Sequence, residues 1–114
     1  MTKLAVLIGT LNAKAVNAPD GWEDRKAGGV FVSDLISDIL ISEGSQTLLI
    51  TSLLSDQVLR TADVIDACAV VLVNRMNVPA SLAKAAAKQG LPLFQTAIPK
   101  FEACVRLGRV LEKI

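Results

Sequence analysis

Histidine is absent from this 114-residue chain, and its absence removes the most familiar catalytic groups. Without imidazole there is no Ser-His-Asp or Cys-His nucleophile pair, no His-Glu-x-x-His zinc helix and no histidine ligation of a metal. Cysteine is nearly as scarce. Cys68 and Cys104 stand far apart with no paired spacing, too few for a thiolate metal site and suited to buried thiols in a reducing compartment rather than to a disulfide framework. Neither a Gly-x-x-x-x-Gly-Lys-Ser/Thr loop nor a Gly-x-Gly-x-x-Gly after a strand occurs, so both common nucleotide cradles are missing. With 12 basic and 11 acidic residues the net charge is +1, and no broad field draws nucleic acid, a membrane surface or a polyanionic substrate. No apolar run approaches the roughly 20 residues that span a bilayer. Residues 1–9 look faintly like a signal peptide, but their apolar core of about five residues falls short of the roughly 7 to 15 required. They read as part of the fold, and the protein is expected to be cytoplasmic.

The residues that are present are apolar and patterned. A hydrophobic content of 52% with 20% charge describes one core, and residues 1–114 read as a single domain. Two runs, residues 46–51 and 69–74, are rich in β-formers and apolar without alternation, as in a parallel sheet covered on both faces. A third, weaker strand is expected over 91–96, where Pro92 suits a first or edge position. The helices between them have crossover length. The best patterned is expected over 30–43, with Phe31, Leu35, Ile39 and Leu40 as its apolar stripe and Gly44 as its stop. The next spans 56–67, with Ser55 as cap and Val58, Leu59, Ala62 and Ile65 inward while Arg60, Asp63 and Asp66 face water. A third spans 79–89, with Pro79 in its first turn and Gly90 just past its end. The last covers 99–114, with Phe101, Cys104, Val105, Gly108 and Leu111 at helical spacing and Arg106, Arg109 and Lys113 favouring its negative end. Residues 3–8 fit either a strand or a short helix capped by Thr2 and ended by Gly9. Residues 18–29, with Trp22, Pro19, Gly21, Gly28 and Gly29, have no apolar period and read as a long loop.

Three places are candidates for chemistry. In a sheet of this kind ligands bind outside the carboxyl ends of the strands, and those ends carry Thr51-Ser52, Asn74-Arg75 and Gln95-Thr96. They either converge on one crevice or simply begin exposed loops. Asp34 and Asp38, four apart on the expected helix, could divide acid and base roles, or form a solvated face. The stretch Asp24-Arg25-Lys26-Ala27-Gly28-Gly29 precedes that helix. Its paired glycines open backbone conformations closed to other residues, and free N–H groups at a positive helix end could hold a phosphate or carboxylate, with Arg25 adding a bidentate contact. The alternative is a tight turn, or close packing against a second subunit.

This hexapeptide, with Ser33-Asp34-Leu35-Ile36-Ser37-Asp38, Leu48-Leu49-Ile50-Thr51, Val71-Leu72-Val73-Asn74 before Pro79, and Leu91-Pro92-Leu93-Phe94-Gln95-Thr96 before Phe101-Glu102, resembles the DRTGG domain family over nearly the whole chain. Lys26-Ala27 precedes the glycines here, so the threonine hydroxyl of the family core is missing. The resemblance implies an N-terminal helix followed by a short strand over 13–17. It also implies a three-layer α/β domain with a short, mostly parallel sheet, similar to the N-terminal domain of HPr kinase/phosphorylase. Such domains accompany CBS domains in some inorganic pyrophosphatases and occur in long phosphate acetyltransferases, where catalysis lies in other domains. The expectation is therefore a non-enzymatic regulatory or ligand-sensing module without cofactor, forming a homodimer or higher homo-oligomer. A small anionic ligand such as an adenine nucleotide would meet Asp24, Arg25, Gly28, Gly29, Ser33, Thr51, Asn74, Arg75 and Thr96. The alternative is a purely structural homo-oligomerisation or interaction domain serving a partner enzyme.

Overall fold

The computed structural model describes residues 1–42 and 44–112. In chain order they form β1 (Thr2–Lys3), α1 (Leu4–Thr10), β2 (Lys14–Asn17), a 3-10 turn at Trp22–Asp24, β3 (Lys26–Ala27), β4 (Gly29–Val32) and α2 (Ile36–Leu40). The second half continues as β5 (Thr47–Thr51), α3 (Asp56–Val64), β6 (Ala69–Val73), α4 (Ala80–Gln89), β7 (Leu93–Thr96) and α5 (Lys100–Val110). The main sheet has the order β2-β7-β6-β5-β4. Strands β4 to β7 run parallel and β2 pairs antiparallel with β7. A two-stranded antiparallel ladder, β1 with β3, stands apart from it.

Every residue of β5 and β6 is buried, and the unalternating pattern explains why. Side chains alternate across a strand, so Leu48, Ile50, Ala69, Val71 and Val73 point one way, into a core with Leu4, Leu7, Leu11, Ala103 and Leu107 from α1 and α5. Leu49, Val70 and Leu72 point the other way, against Ile39, Val58, Leu59, Ala62, Leu82 and Ala86 of α2, α3 and α4. The domain is thus three layers, helices on both faces of a mixed, mostly parallel sheet, and the fold class agrees with the expectation. Truncating a leucine such as Leu49 would cost about 2–5 kcal/mol.

The expected helix over 30–43 is corrected by the structure. Its first residues form β4, which pairs with β5 in the register Gly29↔Thr47 to Val32↔Ile50. Only Ile36–Leu40 is helical, and position 43 lies outside the described residues. The physical reason is that Val30, Phe31 and Val32 are β-formers with an unpaired sheet edge beside them. On the helical stripe only Ile39 is fully buried, whereas Leu35 and Leu40 are exposed. Gly44 adopts φ 95° in the turn before β5 and stops no helix. Asp34 precedes α2, so it shares no helical face with Asp38.

Smaller corrections have similar causes. The N-terminal segment is a helix, but Lys3 rather than Thr2 occupies its cap position and it runs one residue beyond Gly9. The stretch 18–29 is not featureless, since β3 pairs with β1 and Trp22 packs on Phe94 with ring centroids 4.7 Å apart. Helix α3 ends three residues earlier than expected, at Val64, and Ser55 makes no side-chain cap bond. In α5 the buried face is Ala103 and Leu107, while Phe101 is 81% exposed. Cys104 is exposed and Cys68 buried, so only one thiol is a core residue. Position 113 lies outside the described residues.

The paired glycines do not serve a left-handed turn, because neither Gly28 nor Gly29 has positive φ. Gly28 is needed for close approach: a Cβ there would lie 2.9 Å from the Ser45 carbonyl oxygen, whereas one on Gly29 would meet nothing within 4 Å. Gly28→Ala should therefore destabilise the fold by about 1–3 kcal/mol. Gly29→Ala should change stability little or raise it by about 0.4–1 kcal/mol. Urea unfolding of both variants checks this, and equal effects would contradict it.

Candidate functional site

Four parallel strands end on one side of the domain, where β4, β5 and β6 run on into Ser33-Asp34, Ser52 and Asn74-Arg75, while β7 ends at Thr96 and continues through Ala97-Ile98-Pro99. Helices α2 to α4 return along one face, while α5 crosses to the other. The loop after β4 brings in Asp34, the end of β5 brings Thr51 and Ser52, the loop after β6 brings Arg75, and the start of α5 brings Lys100.

These side chains meet around Asp34. Its Oδ1 accepts the Thr51 hydroxyl at 2.9 Å and the Ser52 N–H at 2.7 Å. Its Oδ2 accepts the Ser52 hydroxyl at 2.6 Å and the Lys100 ammonium at 2.6 Å. Lys100 also donates to the Ser52 Oγ at 2.9 Å, and Arg75 Nε donates to the Ser52 carbonyl at 3.0 Å. Both cations therefore touch one residue, Ser52. Partial burial pushes the Asp34 carboxyl up, but Lys100, the Ser52 N–H and the two hydroxyls together outweigh it and hold the group well below the usual carboxylate range. The fully buried Cys68 thiol behaves oppositely, pushed up to about 11 mainly by burial. It is a packed, unreactive group.

The expected site residues divide between two ends of the sheet. Thr51, Asn74, Arg75 and Thr96 lie at the carboxyl ends, and Ser33 lies beside Asp34. Gly28 and Gly29 lie at the amino end of β4, about 13 Å from Thr51 at roughly 3.3 Å per residue. Their N–H groups crown no helix: Gly28 donates to the Gln46 carbonyl and Gly29 opens a strand. Arg25 lines a polar recess of about 160 Å³ with Asp63, Asp66 and Gln89 at the same amino end, and Asp24 is exposed in the 3-10 turn.

Not every group at the carboxyl ends is available. The Thr96 hydroxyl donates to the buried Leu11 carbonyl at 2.8 Å, tying α1 to β7, and the Ser33 hydroxyl accepts the Leu35 N–H. Asn74 takes φ 56°, a left-handed conformation that asparagine tolerates, and so ends β6. Lys100 is not among the expected ligand residues. Its one detectable signal is position, a lysine in the first turn of a helix after Pro99, where the dipole disfavours a cation without an anionic partner.

The fold and these strand ends define a three-layer α/β domain with a polar, hydrogen-bonded cluster at the carboxyl edge of its parallel strands. Among solved structures the chain is similar to the CBS and DRTGG domains of the regulatory region of Clostridium perfringens pyrophosphatase, a structure complexed with the activator diadenosine tetraphosphate. The TM-score is 0.72 at 14% identity, over 90% of this chain and 44% of that one. The chain thus spans less than half the length of that regulatory region, and the likeness, at this identity, is one of fold, consistent with a DRTGG-like domain. No family model and no curated protein matches the sequence. No helix among the described residues is long and apolar enough to cross a membrane.

Asp34 makes stability depend on acid. Because its folded-state pKa is lowered, the unfolded chain binds more protons as pH falls from the ordinary carboxylate range, and the contribution present at neutral pH is lost. The side chain is 37% exposed, so the pair contributes about 1 kcal/mol or less. Asp34→Asn should lose that increment at pH 7 and show a shallower decline in stability between about pH 5 and 2. Parallel curves for the two proteins in urea unfolding would contradict the assignment.

Proposed function

We infer that this chain is a non-enzymatic, cytoplasmic regulatory module of the DRTGG type that senses a small anionic ligand, with an adenine nucleotide as the leading class. The observation that carries this is the convergence of Lys100, Arg75, Thr51 and Ser52 at the carboxyl ends of parallel strands, where α/β sheets bind ligands. An ammonium and a guanidinium beside two hydroxyls and a backbone N–H suit phosphoryl oxygens. The fold's likeness to an enzyme's regulatory region supports the regulatory reading. Of the expected ligand residues, Thr51 and Arg75 are retained at this position, with Ser52 and Lys100 joining them. Thermal unfolding across a nucleotide panel tests it. A ligand at 100 times its Kd adds about 2.7 kcal/mol, a rise of roughly 10 °C or more for a domain of this size. Lys100→Ala and Arg75→Ala should each reduce the rise. No shift with any nucleotide would overturn the reading.

A second reading, an interaction domain that forms a homodimer or serves a partner enzyme, is favoured by a different surface. Beside the edge strand β4, Met1, Gly29, Val30, Val32, Cys104 and Leu111 help line a groove of about 400 Å³, and Phe101 is an exposed aromatic on the same helix, α5, as Cys104. If this face joins two copies, sedimentation should show a ligand-independent dimer that Gly29→Arg or Phe101→Asp converts to monomer. Unchanged dimers in both variants would remove this face from the interface.

A further inference from the structure

The donors around Asp34 form a complete oxyanion site that the protein fills itself. All four end on one carboxylate, two per oxygen: the Thr51 hydroxyl and Ser52 N–H on Oδ1, the Ser52 hydroxyl and Lys100 ammonium on Oδ2. Their orientation does not depend on Asp34 alone. The Thr51 Oγ1 also accepts the Leu53 N–H at 3.3 Å, Arg75 holds the Ser52 carbonyl, and Lys100 is bonded to Ser52 Oγ as well. Removing the carboxylate would leave the donor set in place around an unneutralised ammonium at the N-terminus of α5, a helix with no side-chain cap. Two positive features would then face one vacated position.

The acceptor is carried on a different element from its donors. Asp34 sits in the short link between β4 and the five-residue α2, its side chain is partly exposed, and its neighbour Leu35 is exposed. A carboxylate held on the protein competes with a diffusing anion for the same donors. A phosphoryl group carries more charge and a third acceptor oxygen.

We propose that the Asp34 carboxylate is an internal substitute for a phosphoryl group, and that ligand binding exchanges it out of the Thr51–Ser52–Lys100 donor set and releases the loop leading into α2. The proposal rests on the anion-sensing reading and adds how the site is regulated. It makes the wild-type protein a deliberately weak binder, because the ligand must displace a resident anion.

Calorimetric titration of wild type and Asp34→Ala with inorganic phosphate, ATP and adenosine tests it. Asp34→Ala is expected to bind phosphate and ATP at least tenfold more tightly than wild type, to ignore adenosine, and to lose the gain when Lys100→Ala is added. Asp34→Asn, which keeps the side chain's volume, provides the same comparison should the alanine variant fold poorly. In the wild type, amide exchange over residues 34–41 should accelerate when ATP is bound. Equal phosphate and ATP affinities in wild type and both variants would overturn the exchange while leaving the sensing reading intact, if the wild type binds at all. Absence of oxyanion binding in every protein would overturn both. Tight ATP binding with unchanged exchange over 34–41 would also overturn the displacement.

Discussion

The structure depends on burying β5 and β6 on both faces. All five positions of each strand lie inside, and such strands have no solvent face to offer. Helices must cover both sides, so α2, α3 and α4 occupy one and α1 and α5 the other. Parallel neighbours then require crossovers, which places the carboxyl ends of β4 to β7 on the same side. The polar cluster follows from that constraint, since it gathers at one edge the residues at which the chain leaves the core, Thr51-Ser52 at the end of β5 and Asn74-Arg75 after β6.

Within the cluster electrostatics takes over from packing. Lys100 begins a helix whose amino end already carries partial positive charge, and Asp34 answers both. Ser52 sits between them, bonded to Asp34, Lys100 and Arg75 at once. The ion pair is more than a third exposed on each side, so it adds little to stability. Its order comes from shared hydrogen bonds more than from burial.

The sheet was legible because its strands carry an unambiguous pattern. Runs such as Leu48-Leu49-Ile50 and Val70-Val71-Leu72 can be satisfied only between two helical layers. The segment Val30-Phe31-Val32 was misread because its apolar spacing suits a helix continuing to Ile39, and only the tertiary pairing with β5 decides for a strand. That single difference places the double glycine at a strand start instead of a helix end, so the free helical N–H groups expected there are absent. Phe101 and Cys104 show another limit. Helical spacing identified one stripe of α5, but the close approach of that helix selects the smaller Ala103 with Leu107 for the core. Long-range polar contacts such as Lys100 with Asp34 leave no periodic trace, so the strand-end residues could be anticipated and their partners could not.

The proposed ligand position is at the carboxyl ends of the strands, as opposed to the glycines. Backbone amide shifts recorded while ATP is titrated into the isotope-labelled protein test that choice most directly. The expected result is movement concentrated at residues 34–41, Ser52, Leu53, Arg75 and the first turn of α5 from Lys100. Movement confined to Arg25, Gly28 and Gly29, or none anywhere at saturating nucleotide, would contradict it.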